Sequence, residues 1–186
     1  LFAPAGATDP HSWEPLQAFI EQCHARKLKF MYDLVINHTS IDSPLIEDHR
    51  DWYLLKSVGV RKSDGKVILQ CPLDEPASTR HFNEKNYTIE ERVAHPRAID
   101  PNDVRKVTIW GDLAEIDNRF SPDKDALLTY WLDLVAFYVD KGMDGFRCDA
   151  AYQVPAGTWK AIITKAKEKK PGTLFAAETL GCTLDQ

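Results

Sequence analysis

Cysteine, histidine and clusters of basic residues are scarce in this sequence. Its 186 residues include four cysteines and six histidines, and neither type falls at the spacing of a zinc site. The net charge is −5 and no basic cluster is present, which argues against nucleic acid or an anionic membrane surface as a partner. Internal repeats and low-complexity tracts are also missing, so nothing favours a solenoid or a disordered chain.

The composition is that of a globular domain with enough apolar material for a core. Hydrophobic residues make up 44% of the chain and charged residues 27%. The length is too short for a complete (β/α)8 barrel, which needs about 250 residues. Because the chain starts with Leu1 and ends at Gln186 without a closing element, we interpret it as a fragment. The absence of a signal peptide or transmembrane run therefore says little about the parent protein.

The scattered cysteines favour a reducing compartment. Cys23 falls on the apolar face of a predicted helix and Cys148 inside a predicted strand, where a free thiol acts as a small hydrophobe. We expect buried free thiols rather than disulfides at these positions and at Cys71 and Cys182. Cytoplasmic location is the favoured expectation.

The first forty residues predict a loop, a helix and a strand. Residues 1–11 are rich in turn formers, and Ser12 is a suitable N-cap for a helix that ends near Arg26. Leu16, Phe19, Ile20 and Cys23 recur at helical spacing on its apolar face. Residues 28–36 form an apolar run that suits a strand buried on both faces of a parallel sheet.

Regular patterning breaks down between residues 41 and about 112. This segment contains several prolines, a turn over residues 63–66 and a candidate hairpin strand over residues 66–71. Because it is far longer than an ordinary connection, we predict an inserted, irregular subdomain. Its aromatic residues Trp52, Tyr53, Tyr87 and Trp110 either fill a small core or stack on the rings of a bound ligand.

The remainder alternates helices with strands. Ser121 and Pro122 open a helix that Gly142 closes, and a strand follows over residues 145–149. Thr158 is expected to cap the next helix, which leads into a strand over residues 173–177. Helices alternating with strands predict an α/β fold with a parallel sheet.

Charged residues occur where these strands end. Asp149 ends one strand and Glu178 follows the next, so both carboxylates should lie at the carboxyl-terminal rim of a barrel sheet. Retaining glycosidases place two carboxyl groups about 5–5.5 Å apart, one as nucleophile and one as acid/base. Arg147, two residues before Asp149, points to the same face and would stabilise its carboxylate. Glu178 must then hold a proton at rest, which requires a less polar setting or the repulsion of a nearby Asp149.

Asp33, Asn37 and His38 lie at the end of the first predicted strand. Each has an ordinary structural interpretation: Asp33 as a hydrogen-bond partner, Asn37 as a turn former and His38 as a satisfied polar residue. Their appearance with Asp149 and Glu178 at three successive strand ends instead favours one shared site, in which His38 contacts a sugar hydroxyl.

These stretches resemble motifs of a known family. The run Asp33-Leu34-Val35-Ile36-Asn37-His38 resembles a strand of the α-amylase superfamily, glycoside hydrolase family thirteen. Residues 145–151, Gly-Phe-Arg-Cys-Asp-Ala-Ala, resemble its nucleophile strand, and Glu178 after Phe-Ala-Ala resembles its acid/base strand. The resemblance implies a partial TIM (β/α)8 barrel spanning roughly the second to fifth strands, with an insertion after the third.

The resemblance also implies roles for the residues. Asp149 would be the nucleophile, Glu178 the general acid/base, and Arg147, His38, Asp33 and Asn37 substrate-binding or supporting residues. Residues 1–40 and 108–186 would form the barrel part and residues 41–107 a domain B-like insertion. The family's third carboxylate would lie beyond Gln186, so we expect the isolated fragment to be inactive.

Three departures from the family pattern are visible. Tyr152-Gln153 stands in place of a Lys-His pair, and residues 113–117 match the domain B exit motif only chemically. Both departures weaken the usual calcium link, so we predict no metal or other cofactor and leave Ca²⁺ open. Lys27 stands where a glycine often ends the helix, which predicts mild strain.

The predicted substrate is an α-glucan or maltooligosaccharide with α-1,4 linkages. Hydrolase and transglycosylase remain open, because both use the same two carboxylates. The alternatives are a non-catalytic, amylase-like carbohydrate-binding or transporter-associated protein and a barrel hydrolase that uses a metal. Oligomeric state cannot be read from the sequence.

Overall fold

The computed structural model describes residues 12–72, 86–99, 104 and 107–180. The loop predicted over residues 1–11 and the predicted thiol of Cys182 lie outside these residues, as does the side chain of Cys71. Within the described part, the elements run in chain order as α1 (Glu14–Ala25), β1 (Met31–Leu34), β2 (His38–Ser40), α2 (Leu45–Asp48), β3 (Leu55–Arg61), β4 (Val67–Pro72), β5 (Tyr87–Val93), β6 (Arg97–Ile99), β7 (Val107–Ile109), β8 (Leu113–Glu115), α3 (Lys124–Asp140), β9 (Gly145–Cys148), α4 (Ala156–Lys169) and β10 (Leu174–Ala177).

These elements divide into two compact units. The described residues up to Ile36, together with those from Asp125 onwards, form the first unit, and those from Asn37 to Lys124 form the second. The sequence-based boundaries instead placed residues 37–40 and 108–124 with the barrel part. The difference arises because β2 pairs with β8, which ties both short strands to the second unit.

A three-stranded parallel sheet in the order β1-β9-β10 is the centre of the first unit. Arg147 in the central strand pairs with Asp33 of β1 on one side and with Ala176 of β10 on the other, so the three strands end in register. The ladder continues one residue further, since Asp149 N–H donates to the Leu34 carbonyl at 3.2 Å and Glu178 N–H to the Cys148 carbonyl at 3.0 Å. The predicted parallel α/β arrangement is therefore confirmed.

The core of the first unit lies where α1, α3 and α4 bury apolar side chains with those of the sheet. The side chains at most 3% exposed here are Ile20, Leu34, Ile36, Leu127, Trp131, Val135, Met143, Phe146, Ile162 and Ala166. Phe146 is fully buried in the central strand, and its ring centroid lies 5.5 Å from that of Phe175. Burying a side chain of this size contributes about 2–3 kcal/mol.

Some helix predictions are confirmed and others are wrong. Trp13 rather than Ser12 is the N-cap of α1, and α3 begins at Lys124 rather than at Pro122.

The other helix predictions concern single positions. Gly142 ends α3 with φ +101°, and Lys27 has φ +61°, the strained position that the sequence indicated. Thr158 is not a cap, because α4 already begins at Ala156 after Pro155. Phe19 is 53% exposed rather than inward, since Ile20 takes the buried position of that turn in α1.

The first predicted strand is shorter than expected. Residues 28–36 suggested one continuous strand, but β1 covers only Met31–Leu34. His38 then begins a separate strand, β2, which runs antiparallel to β8.

The second unit consists of short antiparallel sheets. β4, β3 and β5 form one sheet, and the predicted hairpin is confirmed as β3 and β4 around a turn in which Gly65 has φ +69°. β2 pairs with β8, and β6 pairs with β7. Trp52 and Tyr53 are buried at 4% and 3% exposure, so these two aromatic residues fill the core of the unit.

Candidate active site

Arg147 is the centre of a cluster of three carboxylates in the first unit. Its Nη1 donates to both carboxylate oxygens of Asp33, at 2.7 and 2.8 Å, and to Oδ1 of Asp149 at 2.8 Å. Its Nη2 lies 3.0 Å from Oε2 of Glu178. One guanidinium thus links one carboxylate from each strand, as planar N–H groups allow.

The sheet explains why these side chains meet. Asp33 and Arg147 lie opposite each other on β1 and β9, and their side chains leave the sheet on the same face. Asp149 is two residues after Arg147 and therefore returns to that face, while Glu178 follows the end of β10. The carboxyl ends of parallel strands are where α/β sheets commonly place active sites.

The cluster is accessible from solvent. Side-chain exposure rises from 18% for Asp149 through 35% for Glu178 and 42% for Arg147 to 54% for Asp33. The guanidinium pKa of Arg147 is raised, first by its hydrogen bond to Asp33 and then by Asp149. Arg147 therefore remains a fixed positive charge beside both candidate catalytic carboxylates.

The backbone of Ala150 is a further member of the cluster that sequence reasoning missed. Its N–H donates to Oε2 of Glu178 at 2.9 Å. Ala150 has φ +44° and ψ +40°, the left-handed conformation that residues other than glycine rarely adopt. The only trace of this donor in the sequence is the small size of the residue after Asp149.

The charge state of Glu178 differs from the expectation. A resting acid requires a setting that retains its proton, but the pKa of Glu178 is lowered. The Ala150 N–H is the largest cause; burial opposes it, and Arg147 and a hydrogen bond with Asp149 add to the lowering. Glu178 is therefore held as a carboxylate in this arrangement.

Asn37 and His38, the other two predicted site residues, belong to the second unit. Asn37 is 3% exposed, and its carbonyl accepts a hydrogen bond from Ile116 N–H at 2.9 Å. His38 lies in β2, opposite Glu115 of β8, and is half-buried. Their roles toward a sugar stay predictions.

Glu115 and Asp117, the two acids of the segment that resembles the domain B exit motif, have charged or hydrogen-bonded neighbours of their own. The pKa of Glu115 is raised, first by burial, and the positive charges of Arg97, Arg119 and Lys56 act on the same carboxylate. Oδ1 of Asp117 already accepts the N–H groups of Arg119 and Phe120, at 3.1 and 2.8 Å.

Metal-ligating side chains do not cluster elsewhere in the part of the chain that the structure describes. No group of three or more His, Cys, Asp or Glu side chains that could hold an ion occurs within residues 12–72, 86–99, 104 and 107–180. Over the same residues, no helix combines the length and apolar character of a membrane span.

Comparison with known proteins gives consistent matches. The model of the family described as alpha amylase, catalytic domain, matches residues 12–174. The chain is 26% identical over 182 residues to the alpha-amylase MalA of Haloarcula japonica, which covers 94% of this chain and 20% of that protein. It is also 26% identical over 141 residues to a trehalose synthase/amylase TreS of Mycobacterium tuberculosis, covering 72% of this chain and 20% of that protein.

Solved structures show the same fold. An alpha-amylase from Lactobacillus plantarum matches with a TM-score of 0.56 and 22% identity, over 91% of this chain and 29% of that one. The Geobacillus thermoleovorans alpha-amylase complexed with acarbose matches with a TM-score of 0.56 and 19% identity, over 92% and 30%. The predicted partial (β/α)8 barrel is confirmed. The chain spans about a fifth of the length of the relatives that it matches by sequence.

Proposed function

Because this chain belongs to the family of alpha-amylase catalytic domains, we propose that the protein containing it cleaves α-1,4-glucosidic bonds by double displacement, with retention at the anomeric carbon. The observation that carries the proposal is the bridge that Arg147 forms between Asp149 and Glu178. The bridge brings a candidate nucleophile and a candidate acid/base to one guanidinium.

Asp149 is the nucleophile in this proposal. Its carboxylate attacks the anomeric carbon, and the bond to the leaving-group oxygen breaks as the new ester bond forms. The contact between Arg147 Nη1 and Asp149 Oδ1 holds the carboxylate in place for attack. With 18% exposure, Asp149 is the least exposed carboxylate of the cluster. Its low exposure reduces solvation of the carboxylate by water and so favours its attack on the anomeric carbon.

Glu178 is the acid/base. It gives a proton to the departing oxygen, and in the second half-reaction it takes a proton from the water or sugar hydroxyl that attacks the glycosyl ester. Because the resting arrangement favours the carboxylate, Glu178 takes up its proton as substrate displaces water from the site. Asp33 supports the reaction through Arg147, which it contacts with both oxygens.

The acceptor of the glycosyl group distinguishes a hydrolase from a transglycosylase. Transfer to sugar is the form we favour, since Tyr152-Gln153 replaces the Lys-His pair of the resemblance and one relative is named trehalose synthase/amylase. His38 and Asn37 remain proposed sugar contacts. Cys23 and Cys148, the two cysteines whose side chains are described, are free thiols, which supports a reducing compartment.

The test uses the full-length protein that contains this chain, incubated with a maltooligosaccharide of defined length. Chromatography resolves products, so new chain lengths report transfer and reducing ends without redistribution report hydrolysis. A glucosyl fluoride that carries a second fluorine on the ring slows release of the intermediate, and we expect mass spectrometry to find the adduct on the peptide with Asp149.

Two variants test the roles of the carboxylates. Asp149→Asn and Glu178→Gln keep the side-chain size, and we expect each to lower kcat by at least about a thousandfold. Wild-type turnover by either variant, or no turnover by the parent protein on any maltooligosaccharide, would favour the non-catalytic, carbohydrate-binding alternative instead.

A further inference from the structure

Ala150 is a residue of the site to which the proposed reaction assigns no part. It directly follows Asp149, yet its N–H points to Glu178 on the neighbouring strand, 2.9 Å from Oε2. In the part of the chain that the structure describes, Lys27 and Ala150 are the residues other than glycine with a positive φ. The residue with this left-handed backbone is thus the one whose N–H contacts Glu178.

We infer that the backbone N–H of Ala150 is a positioning donor, which fixes Oε2 of Glu178 and leaves Oε1 to carry the proton. This inference rests on the proposed function and assigns a part to a residue that side-chain chemistry would overlook. Ala150 itself touches no reacting atom; it acts through Glu178.

The two oxygens of Glu178 are in different surroundings. Oε2 accepts the Ala150 N–H at 2.9 Å and lies 3.0 Å from Arg147 Nη2. An oxygen that already accepts two N–H groups is a poor site for a proton, and both of these contacts are made through Oε2. When the glycosidic bond breaks, the proton therefore leaves Oε1 for the departing oxygen as Asp149 forms its bond to carbon, and the carboxylate that remains is stabilised at Oε2.

The Ala150 contact also fixes the direction in which Glu178 can move. Glu178 contacts the segment around Asp149 twice, through its own N–H to the Cys148 carbonyl at 3.0 Å and through Oε2 to the Ala150 N–H. The backbone and the carboxylate of Glu178 are thus both held by residues next to Asp149. Small displacements of a catalytic group weaken catalysis steeply, by about a hundredfold for 1 Å.

The charged groups that face Glu178 must be considered for any pH effect. They are Asp33 on β1, Arg147 on β9 and Asp149 at the end of β9, and each stays unchanged when only the Ala150 N–H is removed. A shift in the titration of Glu178 then reports the N–H itself.

The decisive experiment replaces Ala150 by lactic acid, its α-hydroxy analogue, in the full-length protein. This change keeps the methyl group and converts the 149–150 amide to an ester, so that only the N–H donor is lost and the Asp149 carbonyl is slightly weakened. We expect kcat to fall by about 10-fold to 100-fold with KM nearly constant. The basic limb of the pH profile should move to higher pH, because Glu178 loses a donor that favours its carboxylate.

Three further measurements serve as controls. Lactic acid at Ala151 places the same ester one residue later and should leave the basic limb in place. Ala150→Gly keeps the N–H in a residue that accepts a left-handed backbone and should also leave the basic limb in place. Lys27→Gly relieves a matched strain at φ +61° away from the cluster and should change stability without changing the pH profile.

A carbon-13 NMR titration of the Glu178 carboxyl tests the contact without turnover. We expect the ester at position 150 to raise the midpoint of this titration. An unchanged midpoint together with an unchanged basic limb overturns the inference and leaves the proposed function intact. If the proposed function is wrong, the full-length protein will be inactive on maltooligosaccharides. The NMR midpoint of Glu178 then still shows whether the Ala150 N–H contacts its carboxylate.

Discussion

Asp33 and Arg147 lie opposite each other on neighbouring parallel strands, and Nη1 of Arg147 contacts both carboxylate oxygens of Asp33, at 2.7 and 2.8 Å. The same nitrogen also reaches Asp149, at 2.8 Å. Asp33 therefore fixes the position of the guanidinium that fixes Asp149. Such indirect support predicts that changes at Arg147 and Asp33 affect the rate of the reaction more than the binding of substrate.

We expect Arg147→Lys to lower kcat of the full-length protein by about a hundredfold while the protein stays folded. A single ammonium group cannot reproduce the planar fork that reaches Asp149 and Glu178 together. Asp33→Asn should have a smaller effect, about tenfold, because Arg147 keeps its other two partners. Steady-state kinetics with circular dichroism checks both, and full activity of Arg147→Lys would contradict the bridge.

The strand ends could be predicted because their signal is local. Asp149 and Glu178 each follow a short apolar run, and the helix between them has the length of a parallel crossover. The left-handed residue at Lys27 was also visible, since a helix ends there and a turn must begin. Such features depend on residues that are close in sequence, so one sequence is enough to predict them.

Other features depend on contacts across the fold. The hydrogen bond from Ala150 to Glu178 joins residues that are 28 positions apart, and no local pattern encodes it. The sequence predicts His38 at the end of the first strand, but its pairing with Glu115 makes it the start of β2. The ionised state of Glu178 likewise follows from donors on a neighbouring strand.

Gly145 allows β9 and β10 to approach closely. A Cβ atom at this position would lie 2.6 Å from the carbonyl oxygen of Leu174 and 2.8 Å from its Cβ. We expect Gly145→Ala to lower the free energy of unfolding by about 1–3 kcal/mol, because the backbone of β10 must shift. Activity should fall further than stability suggests, since Glu178 directly follows β10.

Gly157→Ala is the matched control for Gly145→Ala. A Cβ at Gly157 has nothing within 4 Å, and the position lies in α4. Its free energy of unfolding should stay within about 0.5 kcal/mol of wild type or rise. Urea denaturation measures the free energy of unfolding of both variants. Equal changes in the two would show that the close approach of β9 and β10 does not require glycine at position 145.

Asp144 ties two helices to the opposite end of the sheet and predicts an acid-dependent stability. Burial opposes its ionisation, yet its pKa is lowered to about 2 from 3.8, since Lys170, the Phe30 N–H and His24 all contact its carboxylate at 2.7–2.9 Å. A carboxyl group with a lowered pKa stabilises the fold above its unfolded pKa. This contribution, about 2 kcal/mol, is lost as pH falls from 3.8 towards 2.

We expect Asp144→Asn to lower the free energy of unfolding by about 2 kcal/mol at pH 7, and we expect the difference from wild type to vanish near pH 2. Asp140→Asn provides the comparison, because Asp140 is 59% exposed and pairs with Lys169 on the surface. Asp140→Asn should lower the free energy of unfolding by at most about 1 kcal/mol. Denaturant titrations across pH separate the two, and a pH-independent cost at Asp144 would exclude the ionic explanation.

Cys148 lies between Arg147 and Asp149 in sequence but on the other face of β9, where it is 4% exposed. Burial, and after it the negative charge of Asp33, raises the pKa of its thiol to about 11, and Arg147 offsets only part of this. At pH 8 about one molecule in a thousand then carries the reactive thiolate.

Iodoacetamide should therefore label Cys23, which is half-buried, well before Cys148 in the native protein, and peptide mass spectrometry identifies each site. Urea should make the two rates similar by exposing Cys148. Native labelling of Cys148 at the rate of Cys23 would mean that β9 opens readily, and a strand that opens readily could not hold Arg147 and Asp149 in a fixed arrangement.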